Sequence, residues 1–153
     1  MEAARGIHVE NVTAWFGENV RGVKPPLRFE LIAGGHSNLT FKVTDAAGAR
    51  TVLRRPPLSH VLPSAHDMGR EFRIISALGP TAVPVPPALG YCEDPAVNEK
   101  PFYVMGFVDG HVLHDEAIAR RALGKETRRR AGVHFIDVLS DLHAVDPDAV
   151  GLG

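Results

Sequence analysis

The stretch Phe29-Glu30-Leu31-Ile32-Ala33-Gly34-Gly35-His36-Ser37-Asn38-Leu39-Thr40-Phe41-Lys42-Val43 decides the fold. An apolar run from Phe29 to Ala33 breaks at Gly, Ser and Asn, and an alternating run resumes at Leu39. Gly and Asn tolerate positive φ where other residues clash, so two such runs joined this way read as a β-hairpin. Asp45-Ala46-Ala47-Gly48 supplies a second turn, and a third strand-like run, Arg50 to Arg55, follows. Three antiparallel strands result. The first turn also has chemical potential: its backbone N–H groups can approach a ligand closely, and Ser37 and Asn38 add polar side chains, a combination that suits phosphate oxygens. Taken alone, such a turn is more often only a hairpin.

The order of parts that follows says more. On the third strand Val52 and Arg54 share one face, and Thr51, Leu53 and Arg55 the other, by the two-residue period. A proline-rich loop leads to Ser64, the expected N-cap of a helix over about 65–78, with Asp67 completing an approximate capping box. Glu71, Ile75 and Leu78 then fall at i, i+4 and i+7, which sets Glu71 on an inward-looking apolar stripe. A carboxylate there wants a cation, and Arg54 is the candidate. Phe72, Ile75 and Leu78 are expected to be buried; a fully packed Phe72 truncated to alanine would cost about 3 kcal/mol.

Glycine loop, basic residue on the third strand and helical glutamate, in that order, resemble the N-terminal lobe of the protein-kinase-like fold. Within it, Gly34-Gly35-His36-Ser37-Asn38-Leu39-Thr40-Phe41 and Leu53-Arg54-Arg55-Pro56-Pro57 are similar to strings of the aminoglycoside phosphotransferase family and of the kinase-like domain attached to some acyl-CoA dehydrogenases. The resemblance covers residues 10–153 approximately. It implies an α+β fold: a five-stranded antiparallel sheet with one packed helix, then the first helices of a helical C-lobe. It implies an ATP-dependent phosphotransferase acting on an alcohol group, with nucleotide contacts at Gly34, Gly35, His36, Ser37, Asn38, Arg54 and Glu71. The segment around Gly106 corresponds to the hinge between lobes, so Met105, Phe107 and Val108 would face the adenine. Lysine is usual where this chain has Arg54; arginine keeps the charge but presents a planar fork.

Elsewhere, Val12, Trp15, Phe16 and Val20 suggest an amphipathic helix over 9–20 that pads the sheet. Twelve prolines are many for this length, and they cluster most at 25–26, 56–57 and 84–87, where they separate elements. Ala88 to Cys92 and the apolar run Phe102 to Met105 read as the fourth and fifth strands, the latter central. The expected division is a nucleotide-binding lobe over 1–108 and the start of a helical lobe over 109–153. From Asp115 onward the chain looks helical. There Ala131, Phe135, Val138, Leu139 and Leu142 form a stripe that Val133 and Ile136 widen, and this helix asks for neighbours on more than one side. His134, Asp137 and Asp141 share a polar stripe that reads as a solvated face rather than a metal site.

Seventeen basic against eighteen acidic residues leave a net charge near zero, which points away from nucleic acid and membrane surfaces. With no long apolar run, no leader-like start and only Cys92 as a thiol, a cytoplasmic address is expected. The resembled kinases supply the acceptor base from a His-Gly-Asp loop and hold magnesium with a later aspartate; neither string occurs here. The chain is therefore expected to be an ATP-binding lobe, inert by itself, whose magnesium site and hydroxyl substrate belong to a missing lobe. Its uncovered helix would also allow a homodimer. The alternative is a non-catalytic α+β interaction module.

Overall fold

The computed structural model describes residues 4–33, 38–58 and 66–153. Nine elements occur among them: α1 (Val9–Asn19), β1 (Arg28–Ala33), β2 (Leu39–Thr44), β3 (Arg50–Arg55), α2 (Met68–Leu78), β4 (Ala88–Cys92), β5 (Phe102–Gly106), α3 (Glu116–Ala122) and α4 (Lys125–His143). The strands form one sheet in the order β1-β2-β3-β5-β4, with every neighbouring pair antiparallel. This is the expected five-stranded sheet, and the apolar β5 does lie inside it, between β3 and β4.

The turn between β2 and β3 shows how local chemistry sets the register. Asp45 accepts hydrogen bonds from the backbone N–H groups of Ala47 (2.9 Å), Ala49 (2.8 Å) and Lys24 (3.0 Å). Burial alone would raise its carboxyl pKa, but those three donors and the Lys24 charge outweigh that and bring it below the ordinary 3.8. Gly48 completes the turn at φ +82, a left-handed conformation that other residues adopt only with strain.

The main core lies on the α1 side of the sheet. Val12 and Phe16 of α1 pack with Leu39, Phe41 and Val43 of β2, Leu53 of β3 and Phe102 and Val104 of β5. Trp15 meets the Phe102 ring edge-on at 4.9 Å, and its ring occupies the space that a Cβ on Gly90 would need. Arg55 projects to this same face and is only 2% exposed. It donates to the carbonyls of Pro56 (3.1 Å) and Gly6; burial depresses its pKa and the Glu99 charge opposes that.

α2 lies on the opposite face, and here the structure corrects two expectations. Its N-cap is Asp67, whose Oδ1 accepts from the Arg70 N–H at 2.9 Å and whose carbonyl accepts from Glu71 N–H; Ser64 lies outside the described residues. Phe72 and Ile75 are half-buried rather than fully packed, and only Leu78 of the expected trio is buried. Phe72 stacks on Tyr91 at 5.8 Å and leans on Tyr103 at 6.2 Å. With part of its surface still in water, Phe72→Ala should cost about 2 kcal/mol, less than a fully buried phenylalanine would. Urea titration measures this directly, and a loss above about 3 kcal/mol would show that the ring is more deeply held.

By contact the chain divides into two compact units, Met1–Ser76 with Pro86–Phe107, and Ala77–Val85 with Val108–Gly153. In the second unit Asp115 caps α3 by accepting from Ile118 N–H at 2.7 Å, and Arg128 Nη1 donates to the Leu123 carbonyl at 2.6 Å, closing the corner into α4. The chain is not helical throughout this region: α4 stops at His143, and turns follow around Pro147. The apolar stripe of α4 has no buried residue among those described, and Phe135 is 67% exposed. No described helix is long and apolar enough to cross a membrane.

Candidate functional site

Cross-strand pairing builds a row of side chains on the α2 face of the sheet. Thr40 of β2 lies opposite Arg54 of β3, Arg54 opposite Tyr103 of β5, and Tyr103 opposite Tyr91 of β4. Residues directly opposite in neighbouring strands project to the same side, so four strands contribute one side chain each. α2 then lowers Glu71 onto this row.

The Glu71 carboxylate is the centre of the arrangement. Its Oε2 accepts from Arg54 Nε at 2.9 Å and from the Tyr103 hydroxyl at 3.0 Å. Its Oε1 accepts from Asn38 Nδ2 at 2.8 Å. Arg54 is held a second time, by Nη1 donating to Thr40 Oγ1 at 3.0 Å. Asn38 Oδ1 in turn faces His66 Nδ1 at 2.5 Å. Burial drives the Tyr103 phenol well above the ordinary 10.0, and the adjacent Glu71 charge pushes the same way, so the hydroxyl keeps its proton and remains a donor. The Arg54 and Glu71 side chains are 32% and 30% exposed. A guanidinium fixed in plane by two internal contacts, and still open to solvent, can offer its remaining N–H groups to an anion.

The structure thus brings together three of the residues expected at a nucleotide site, Asn38, Arg54 and Glu71. Gly34, Gly35, His36 and Ser37 lie outside the described residues. Met105 is half-buried on β5, opposite Val52 and Ala88. Phe107 is half-buried with the Arg50 guanidinium 4.6 Å above its ring. Val108 is exposed in the second unit, and between them the Gly106 N–H is taken by the Pro87 carbonyl at 2.9 Å. His134, Asp137 and Asp141 are exposed, and no group of three or more His, Cys, Asp or Glu among the described residues could hold a metal ion. A cavity of about 330 Å³ lies within the second unit, lined by Thr81, Asp141, Val145, Asp146 and Val150 among others, and none of the described residues expected at the nucleotide site lines it.

Three members of the network were not anticipated: Thr40, Tyr103 and His66. A signal existed for Tyr103, since a phenol inside an apolar strand needs a partner for its hydroxyl. Thr40 was legible only as the polar side of an alternating strand.

A sequence profile of the phosphotransferase enzyme family (APH) matches residues 28–153. The chain belongs to this family. Among curated proteins, this phosphotransferase-family chain is 38% identical over 142 residues to the probable acyl-CoA dehydrogenase IBR3 of Arabidopsis thaliana, covering 88% of the chain and 17% of that protein. It is 38% identical over 120 residues to acyl-CoA dehydrogenase family member 10 of Mus musculus, covering 77% of the chain and 11% of that protein. The chain therefore spans only a small part of these relatives. Among solved structures it is similar to the crystal structure of a candidate aminoglycoside phosphotransferase from Ralstonia eutropha JMP134, with a TM-score of 0.75 and 35% identity over 94% of this chain and 40% of that one. The antiparallel sheet with α2 laid against it is the kinase-like arrangement of this phosphotransferase fold.

Proposed function

We propose that this chain is the ATP-binding lobe of a small-molecule phosphotransferase, which moves the γ-phosphoryl group of ATP to a substrate hydroxyl. The observation that carries the proposal is Arg54, held by Glu71 and Thr40 with its head still open to solvent. In the transfer, the bond between the γ-phosphorus and the β-bridging oxygen breaks. A bond to the acceptor oxygen forms, and the hydroxyl proton leaves to a base. Arg54 would contact the phosphates, while backbone groups near Met105, Phe107 and Val108 would meet the adenine edge.

Magnesium, when bound, would neutralise charge on the phosphates, but the described residues offer no cluster to hold it. The sequence contains no His-Gly-Asp string either. On this reading the acceptor base and the metal-binding aspartate belong to the part of the solved neighbour that this chain does not cover. The acceptor is a small-molecule alcohol, with an aminoglycoside, a hydroxyacyl-CoA and another alcohol equally open; the neighbour's name mentions an aminoglycoside, and the relatives' names mention acyl-CoA.

Without magnesium to neutralise the triphosphate, ATP should bind with a dissociation constant no better than roughly 0.1 mM. At ten times that concentration the fold should gain about 1.4 kcal/mol, visible as a rise in melting temperature. Phosphate transfer by this chain alone should be absent and should appear in a chain that includes the second lobe. Melting with and without ATP and magnesium, beside a phosphorylation assay on both chains, tests this. No ATP-dependent shift would favour a non-catalytic interaction module, and turnover by this chain alone would show that it already contains the acceptor base.

A further inference from the structure

We propose that Asn38 is a positioning residue of this site: its side-chain amide fixes the rotation of the Glu71 carboxylate, and through it the plane in which Arg54 meets phosphate. The proposal rests on the reading of Arg54 as a nucleotide contact.

The chemistry of the partners assigns every proton in the chain of contacts. A carboxylate only accepts, so the nitrogen of the Asn38 amide must face Glu71, and its oxygen must face His66. His66 then donates through Nδ1, as it can in the neutral Nδ1–H tautomer or as the cation. Asn38 is 5% exposed and cannot exchange these partners for water. The two donors from the sheet, Arg54 Nε and the Tyr103 hydroxyl, both bind Oε2 of Glu71. The terminal torsion of a glutamate is soft and broadly two-fold, so donors on one oxygen leave the group free to turn. Asn38 is the described residue that binds Oε1, and this second anchor sets the carboxylate plane. Because Arg54 engages Glu71 through Nε and Thr40 through Nη1, a fixed carboxylate fixes the guanidinium as well. Its Nη2 edge has no hydrogen-bond partner among the described residues.

Asn38→Asp in the full chain is the test, because it turns the donor into a second carboxylate against Glu71. The titratable groups facing this position are Glu71 on α2, His66 before it, Arg54 on β3 and Tyr103 on β5. Two carboxylates in contact hold one proton between them at a raised pKa. At neutral pH the variant should bind ATP about tenfold more weakly than wild type. As pH falls toward about 5, the shared proton should restore an O–H donor and most of the affinity. The wild-type amide does not titrate and should show no such recovery.

In the absence of ATP, the raised pKa of the pair makes the variant gain stability relative to wild type as pH falls, and lose it as pH rises. A wild type that binds ATP, with a variant of unchanged affinity and pH profile, would overturn the proposal and leave the nucleotide reading standing. A wild type with no ATP response would overturn the nucleotide reading itself, and the ligand-free pH profile would still report on the Asn38–Glu71 contact. If Asn38→Asp does not fold, Asn38→Asp with Glu71→Gln restores a donor–acceptor pair in reverse; a folded double variant supports direct contact, and an unfolded one overturns it.

Discussion

Phe16→Ala should destabilise the protein by about 4 kcal/mol, the scale for removing a fully buried phenylalanine. Phe16 is 0% exposed, sits among the core residues of β2, β3 and β5, and meets the rings of Trp15 and Phe29 edge-on at 5.8 and 6.3 Å. The expected loss is a large share of the total stability of a domain this size. The substitution therefore also asks whether α1 belongs to the fold, since α1 precedes residue 28, where the match to the phosphotransferase family begins. His8 N–H donates to the Asn98 side chain at 3.1 Å, and Asn11 Nδ2 donates to the Ala96 carbonyl at 3.0 Å, tying both the entry and the body of α1 to the β4–β5 connection. Denaturant unfolding of Phe16→Ala measures the effect, and a change below about 1 kcal/mol would make α1 an appendage rather than half of the core.

Most of the sheet could be read from the chain because strands and turns are encoded locally. The alternation Leu39-Thr40-Phe41-Lys42-Val43 fixed one face as apolar, and the structure buries that face, Leu39, Phe41 and Val43, against α1. What the alternation cannot say is which helix covers which face. The apolar stripe of α2 suggested deep burial for Phe72 and Ile75, but α2 lies over the polar row Thr40–Arg54–Tyr103, and both are only partly buried.

The ion pair between Arg54 and Glu71 was legible because each partner has an independent periodicity argument. The place of Tyr103 beside Arg54 was not, because it depends on register between β3 and β5, which are far apart in sequence, and register is a property of the assembled sheet; Thr40 could be set opposite Arg54 only once the register across the β2–β3 turn was known. His66 was out of reach for a similar reason: its contact with Asn38 spans 28 residues and follows no period. On α4 the stripe was legible as a need for neighbours. The described residues leave Phe135, Ile136 and Val133 exposed.

Arg54→Ala should weaken ATP binding about a hundredfold, the upper range for losing charge-assisted hydrogen bonds to a phosphate. At about 1 mM ATP, where wild type is expected to gain about 1.4 kcal/mol, the variant should gain under about 0.1 kcal/mol, which amounts to no measurable shift in melting temperature. The ligand-free protein should change much less. Glu71 would keep Tyr103 and Asn38 as donors, and an ion pair about a third exposed contributes less than about 1 kcal/mol once solvent screening is allowed for. Such a separation of a large binding effect from a small stability effect would mark Arg54 as a ligand contact. Arg54→Lys should fall between: an ammonium can reach Glu71 or a phosphate, but it lacks the fork that engages Glu71 and Thr40 while presenting a third edge. An Arg54→Ala variant that keeps the wild-type ATP shift would place the phosphates elsewhere. An equal loss of ligand-free stability and of ATP response would reduce the Arg54–Glu71 pair to a strut between β3 and α2.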